Sequence, residues 1–483
     1  MTPSGPAFIA KHPIVCLIVF FLALLFFVGL FQTRKPLPAG LSFNGPLRPV
    51  HEIRFYRDLT WLAPDGTRQT DHEIFDQMLT MIQNARHFIL IDMFFFNDFK
   101  GAVTAINRPV SSEIIDALIA QKNSFPGIHI NVITDPINTI YGGLVNSGFE
   151  RLKAHGISVT FTRLEALRDS NPFYSSFWRF FIQPFGNGNG QLLPNPFGSG
   201  RVSVRSYLKM FNFKANHRKV IITDNADDYL AMVSSANLHD ASSFHSNAAI
   251  VFSGPAVKDL VASDRAVLNF SGGPMPPEID LPDKDVAADI QLKIVTERQI
   301  KKEVLTALSN LNHGDRACLV MFYLSDRMIM QALQSAYLRG AELKILLDPN
   351  KDAFGYTKNG IPNRQTGAEL AKNKIPVRWS DTHGEQAHAK MLLVEYAGGH
   401  SILITGSANY TRRNLDDYNL ETDVAVYGPA TAAVFNQARA HCDLLWENSD
   451  HQRFSVGFEK YEDHSKLRYI LYRWMEATGM CTF

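Results

Sequence analysis

The apolar positions of this chain fall into runs of different period. Ile14 to Phe31 is apolar without a break, with Lys11 before it and Arg34-Lys35 after it. A run of that length just reaches across a bilayer as a helix. Its exit, Phe31-Gln32-Thr33-Arg34-Lys35, is a poor site for signal cleavage, so an uncleaved anchor is expected rather than a signal peptide. Basic residues at both ends leave no charge bias to set its orientation. Residues 32 to about 50 hold several Pro and Gly and look like a stalk. Helical and strand patterns then alternate. Asp71 to Ala85 has helical apolar spacing (Ile74, Met78, Met81, Ile82), and His87 to Phe96 is a dense apolar strand. Continuous apolar strands between helices imply an α/β sheet covered on both faces.

The pattern then repeats. Met93–Asp98 corresponds to Met321–Asp326, Ile128–Pro136 to Leu343–Pro349, and Leu152–Val159 to Leu370–Val377. A repeat of such long period is a fold-level signal: two α/β halves. They are unequal. Asp135 to His217 spans 82 residues (217 − 135), whereas Asp348 to His388 spans 40 (388 − 348). The first half therefore carries an insertion, roughly 169–204. It contains Phe173, Tyr174, Phe177, Trp178, Phe180, Phe181 and Phe185, then a Gly- and Pro-rich stretch. Between Arg163 and Lys219 there are nine Arg or Lys against Glu165 and Asp169. Aromatics among basic residues suit a membrane interface, and a helix packed on its own domain is the alternative. Expected boundaries are an anchor at 1–35, a first half at 36–271, a Pro-rich linker at 272–285, a second half at 286–447 and a tail helix at 448–483.

Composition narrows the partners. The formal net charge is +1, so no global field argues for nucleic acid. The cysteines Cys16, Cys318, Cys442 and Cys481 show neither metal spacing nor a paired framework, and thiols are expected. No metal or cofactor is expected.

Two stretches carry the chemistry. His217-Arg-Lys219-Val-Ile-Ile-Thr-Asp224 is followed by Ser234-Ser235-Ala-Asn237. His388-Ala-Lys390-Met-Leu-Leu-Val-Glu395 is followed by Gly406-Ser407-Ala-Asn409. In a strand, residues two apart point to the same face, so each His would project beside its Lys. The doubling resembles that of the HKD phosphodiesterases, and the reaction this resemblance implies, transfer at a phosphodiester, needs positive charge, hydrogen bonds to the non-bridging oxygens, a nucleophile and an acid. Lys219 and Lys390 supply the first; Ser235, Asn237, Ser407 and Asn409 the second. His217 and His388 divide the rest, one attacking phosphorus and the other protonating the leaving oxygen.

The doubled motif resembles the phospholipase D superfamily, the HKD phosphodiesterases, over roughly residues 50–445. That resemblance implies two pseudo-symmetric sandwich halves packed face to face, with His217, Lys219, Asp224, His388, Lys390 and Glu395 as the catalytic residues. Glu395 departs from the more usual Asp. The resemblance also implies an acid that holds a histidine's far nitrogen. Counting ten residues past each Asn aligns Asn247 with Asn419, and so Ala249 with Glu421. On that alignment Glu421 orients His388 and keeps it protonated, and His217 is the neutral nucleophile.

The expected protein is a single-pass protein of a bacterial inner membrane, a phospholipase D or phosphatidyltransferase of cardiolipin synthase type acting on phospholipid. The alternatives are an anchored exonuclease on nucleic acid and a non-catalytic lipid-binding scaffold. No obligate protein partner is inferred.

Overall fold

The computed structural model describes residues 12–103, 105–188, 190–281, 289–449 and 452–483. Lys11 and the end of the expected linker, from residue 282, lie outside the described residues.

Two large sheets form the core. The first runs, in spatial order, Arg68–His72, Ile53–Leu62, Asn247–Ser253, Asp228–Ser234, Lys219–Asn225, Phe88–Met93, His129–Thr134 and Ser158–Phe161. The second repeats the central order with Gln291–Thr296, Thr422–Pro429, His400–Gly406, Lys390–Tyr396, Arg316–Met321, Glu342–Leu347 and Val377–Ser380. In both, the central motif strand is antiparallel to its neighbour from the repeat, Lys219 opposite Met93 and Lys390 opposite Met321.

Alternation along the motif strands explains why they are apolar throughout. Val220 and Ile222 join Met391 and Leu393 in one core shared between the sheets. Ile221 packs under the first half's helices, and Leu392 and Val394 under the second's. A strand with helices on one face and a second sheet on the other has no polar side. Two sandwich halves packed face to face, as expected, are what the sheets form.

The edges of the second sheet come from outside the expected second half. Arg48–Pro49, at the end of the stalk, pairs with Gln291–Leu292, and Ser455–Gly457 pairs with Arg378–Ser380. Asp71 belongs to a strand, and the helix expected from it begins at Ile74, where the backbone N–H is capped by Asp58 Oδ1 at 3.0 Å.

Pro13–Arg34 is a single helix, long and apolar enough to cross a membrane and largely exposed. The insertion docks on its C-terminal end. Helix Pro172–Phe181 approaches so closely at Gly29 that a Cβ there would sit 2.9 Å from Ser176 Oγ. Asp169 N–H donates to Gln32 O at 3.1 Å and Lys35 Nζ to Glu165 O at 2.8 Å. Phe173, Phe177, Phe180, Phe181 and Phe185 are exposed, but Trp178 is buried at 6%. So Trp178 belongs to the packing side of the insertion.

The cysteines correct the expectation of four thiols. Cys318 and Cys442 are disulfide-bonded, Cα to Cα 6.5 Å, tying strand Arg316–Met321 to helix Ala433–Glu447. Their separation of 124 residues carries no spacing signal. Cys16 and Cys481 are free.

Candidate active site

Each histidine is held in place by the half to which it does not belong. His217 lies ahead of its strand, and its N–H donates to Leu420 O at 2.9 Å. His388 N–H donates to Ser246 O at 2.8 Å. The residues just before them are pinned by buried carboxylates. Asp135 Oδ2 accepts from Asn216 N–H, and Asp348 Oδ2 from Ala387 N–H, both at 2.8 Å. Burial pushes both carboxyls up to about 7. The Asp-Pro match between the repeats was the visible trace of these two residues.

Around the rings the likeness continues. Phe94 lies 4.8 Å from the His217 ring and Phe322 4.9 Å from that of His388, centroid to centroid. Lys219 Nζ donates to His217 O and Lys390 Nζ to His388 O, each at 2.6 Å. Each amine also sits 5.2 Å from the adjacent Phe ring. Burial drives Lys219 down to about 7 and Lys390 well below the lysine range. Two buried ammonium groups that repel one another are costly.

The far nitrogens differ. His217 Nδ1 meets Glu421, 2.9 Å from Oε1 and 3.0 Å from Oε2. His388 Nδ1 donates to Ser235 O at 3.0 Å and Asn247 Oδ1 at 3.3 Å. Glu421 therefore orients His217, and the expected pairing with His388 is corrected. The alignment behind it was two residues out. Ser235 N–H bonds Ala248 O and Ser407 N–H bonds Thr422 O, so Asn247, not Ala249, is the counterpart of Glu421. The second half has a loop two residues longer (421 − 407 = 14 against 247 − 235 = 12).

His388 is not held protonated either. Burial, then the nearby Lys390, His245 and Lys219, push it well below the usual histidine range. Burial takes His217 down to about 4, against the opposing pull of Glu421. Burial alone would raise Glu421, but His217 and Lys219 hold it below the ordinary range, so it is ionised.

The serines correct a second expectation. Ser407 Oγ donates to Glu421 Oε2 at 2.5 Å, and Ser235 Oγ to Asn247 Oδ1 at 3.1 Å. A hydroxyl has one proton. These two are spent on orienting groups, whereas Asn237 and Asn409 line the cavity between the halves. Asp224 and Glu395 are corrected too. Both stand five residues beyond their lysines, on the order of 16 Å along the strand. Asp224 Oδ1 accepts the N–H groups of Phe88, His87 and Arg86 at 2.8, 3.0 and 3.1 Å, and Glu395 pairs with Arg439 at 2.6 Å. They brace the fold, away from the histidines.

His217 and His388 open into one cavity of about 470 Å³. With Nδ1 engaged in both, Nε2 is the nitrogen each ring offers. The walls are largely aromatic: Phe94, Phe95, Phe197, Phe211, Phe213, Phe322, Tyr323 and Phe354, with Lys214, Lys358 and Arg413 among them. His245 is a third histidine in this wall, its ring 5.6 Å from that of His388. Sequence reasoning missed it, since no motif contains it. Among the described residues no cluster of His, Cys, Asp and Glu is suited to a metal.

Residues 307–446 match a family model described as cardiolipin synthase, phospholipase D-like domain, a span that includes the second motif and Glu421. Among solved structures, the chain is similar to phosphatidylserine synthase of Haemophilus influenzae Rd KW20, with 11% identity, TM-score 0.55, and 90% of this chain and 96% of that one covered. It is also similar to polyphosphate kinase from Porphyromonas gingivalis, with 13% identity, TM-score 0.45 and coverage of 89% and 53%. A third is Nuc from Salmonella typhimurium, a phospholipase D family member, with 20% identity, TM-score 0.27 and coverage of 34% and 99%. No curated protein matches significantly. The resemblance carried by the two motifs is borne out to this extent: residues 307–446 match a phospholipase D-like domain, and the chain as a whole has the fold of the first of these structures.

Proposed function

We propose that the chain transfers or hydrolyses the phosphodiester of a phospholipid through a phosphoryl group held on His217. The observation that carries this reading is the wall of the cavity. A nucleic-acid enzyme of this kind calls for a basic groove that tracks the backbone. Here both histidines face aromatic walls that suit acyl or glyceryl carbon, with few cations among them. The insertion packs against a helix able to cross a membrane and leaves its phenylalanines exposed, which favours substrate arriving from a bilayer. A bacterial inner membrane fits that picture.

In this scheme His217 Nε2 attacks phosphorus, and the bond from phosphorus to the leaving alcohol breaks. His388 gives its proton to the departing oxygen. Water or a second alcohol then attacks, His388 takes the proton back, and the P–N bond breaks. Glu421 stabilises the positive charge that grows on His217 as N–P bonding develops, much as a triad carboxylate supports its histidine. The substrate's own negative charge is what allows His388, Lys219 and Lys390 to hold their protons in the buried site. Asn237 and Asn409 donate to the non-bridging oxygens.

Purified protein offered labelled phosphatidylglycerol in vesicles and, separately, single-stranded DNA tests the reading. Cardiolipin or phosphatidic acid supports it. Nucleotides with no lipid product would replace it with the exonuclease alternative.

A further inference from the structure

Arg218, the residue between His217 and Lys219, is completely buried; its counterpart in the second motif is Ala389. Its Nη1 donates to Ser263 Oγ at 2.9 Å and Asp264 Oδ1 at 3.1 Å, on helix Ala256–Ser271 of the same half. Its Nη2 crosses to the other half and donates to Glu297 Oε1 at 2.9 Å. That same oxygen accepts the backbone N–H of Glu421 at 3.2 Å. Glu297 Oε2 accepts the backbone N–H of Ser42 at 2.7 Å.

One carboxylate thus joins the middle of the first motif, the backbone of the residue that faces His217, and the chain leaving the membrane helix. Its neighbours reinforce the junction. Phe43 N–H donates to Thr296 Oγ1 at 2.7 Å, and Thr296 N–H to Phe43 O at 3.0 Å. Glu297 and Ser42 both have left-handed φ, 48° and 54°, which residues other than glycine hold only where the surroundings impose it. A planar guanidinium clamped on both sides allows little rotation. A carboxylate with both oxygens engaged allows little more.

We propose that Glu297 and Arg218 are positioning residues for the nucleophile. They fix Glu421 against His217 Nδ1, and they build the segment after the anchor into that arrangement. The proposal rests on His217 being the residue that takes the phosphoryl group. It explains why the first motif has Arg at its central position and the second has Ala. His388 leans on Ser235 O and Asn247 and has no carboxylate to hold.

The test uses the full chain in detergent with bis(nitrophenyl) phosphate, a soluble activated diester, and follows both turnover and label on His217. Glu297→Gln keeps the volume and an acceptor oxygen but removes the charge. It should lower kcat by about 10- to 100-fold with KM changed less than about threefold. The acid limb of its rate profile should move to lower pH, as in Glu421→Gln, because the charge that raises His217 is displaced. The decisive arm adds Glu297→Gln to Glu421→Gln. If Glu297 acts through Glu421, the second change costs less than about twofold, whereas independent structural losses multiply. Multiplying losses, or a lowered rate with an unmoved acid limb, overturn the proposal. Should Glu297→Gln fail to fold, Arg218→Lys carries the same test, since it keeps the charge and loses the two-pronged contact. Absence of label on His217 in the unaltered protein overturns the reading of the reaction itself. Label present, with Glu297→Gln kinetics unchanged, overturns only the positioning role.

Discussion

The two halves agree contact for contact until the far side of the histidine ring, and there they part. In both, a buried Asp pins the residue before the His, a Lys amine closes on the His carbonyl, and a Phe lies against the ring. Behind His217 stands an ionised Glu421; behind His388 stand a carbonyl and the amide of Asn247. One side chain, contributed across the interface, separates a ring with a permanent counter-charge from one without. Because partners are exchanged between the halves, a difference written in the second half's sequence is expressed on the first half's histidine.

The largest test of this comparison removes each ring. His217→Ala and His388→Ala should each lower turnover of a phospholipid by about 10⁴-fold or more, and the double variant should be no worse, because groups acting as a unit are not additive. An activated nitrophenyl diester splits them. Its leaving group needs no proton, so His388→Ala should still label His217, while His217→Ala should give no label anywhere. Label on residue 388 would exchange the roles.

Glu421→Gln comes next, with an expected loss of about 10²- to 10³-fold, in the range seen when one preorganised electrostatic group is removed. The sign of its pH effect follows from the site. Glu421 pulls the His217 pKa upward against burial, which leaves it at about 4. Without that carboxylate the pKa falls further, so the acid limb moves down in pH and the alkaline limb stays. A shifted alkaline limb would return Glu421 to His388.

Asn247→Asp gives His388 the counter-charge it lacks and so weakens the asymmetry. An added carboxylate raises that histidine's pKa, so the alkaline limb should move to higher pH, with a rate change within about tenfold. No movement would mean that Ser235 O alone orients the ring.

The smallest effect concerns the insertion that only the first half carries. Phe177→Ser with Phe181→Ser should lower activity on vesicles several-fold and leave a short-chain soluble diester untouched. Both residues are exposed beside the apolar helix, so little core packing is lost. Equal loss on both substrates would make them fold residues.

The alternation of strands and helices, the repeat and the two histidines were legible because each rests on local patterning: apolar runs, the matched Met93 and Met321 strands, and His and Lys two apart. Partners contributed from the far half were not. Glu421 was visible as an odd residue, but a two-residue difference in loop length sent it to the wrong histidine. Ser235 and Ser407 looked like phosphate donors because motif spacing says nothing about where a hydroxyl proton goes. His245, Arg218 and Glu297 owe their positions to tertiary contacts between segments far apart in the chain. The Cys318–Cys442 pair, 124 residues apart, is of the same kind.

The exchange of backbone bonds at His217 and His388 bears on symmetry. A site assembled in this way is an intermolecular contact enclosed in one polypeptide. A single half could rebuild it only by associating with a copy of itself, and two-fold symmetry would then oblige both rings to meet identical partners. Division of labour between nucleophile and acid would have to be imposed by the bound substrate alone. Two halves in one chain are free of that constraint. Position 421 can be acidic while position 247 is neutral, and each ring can serve its own task.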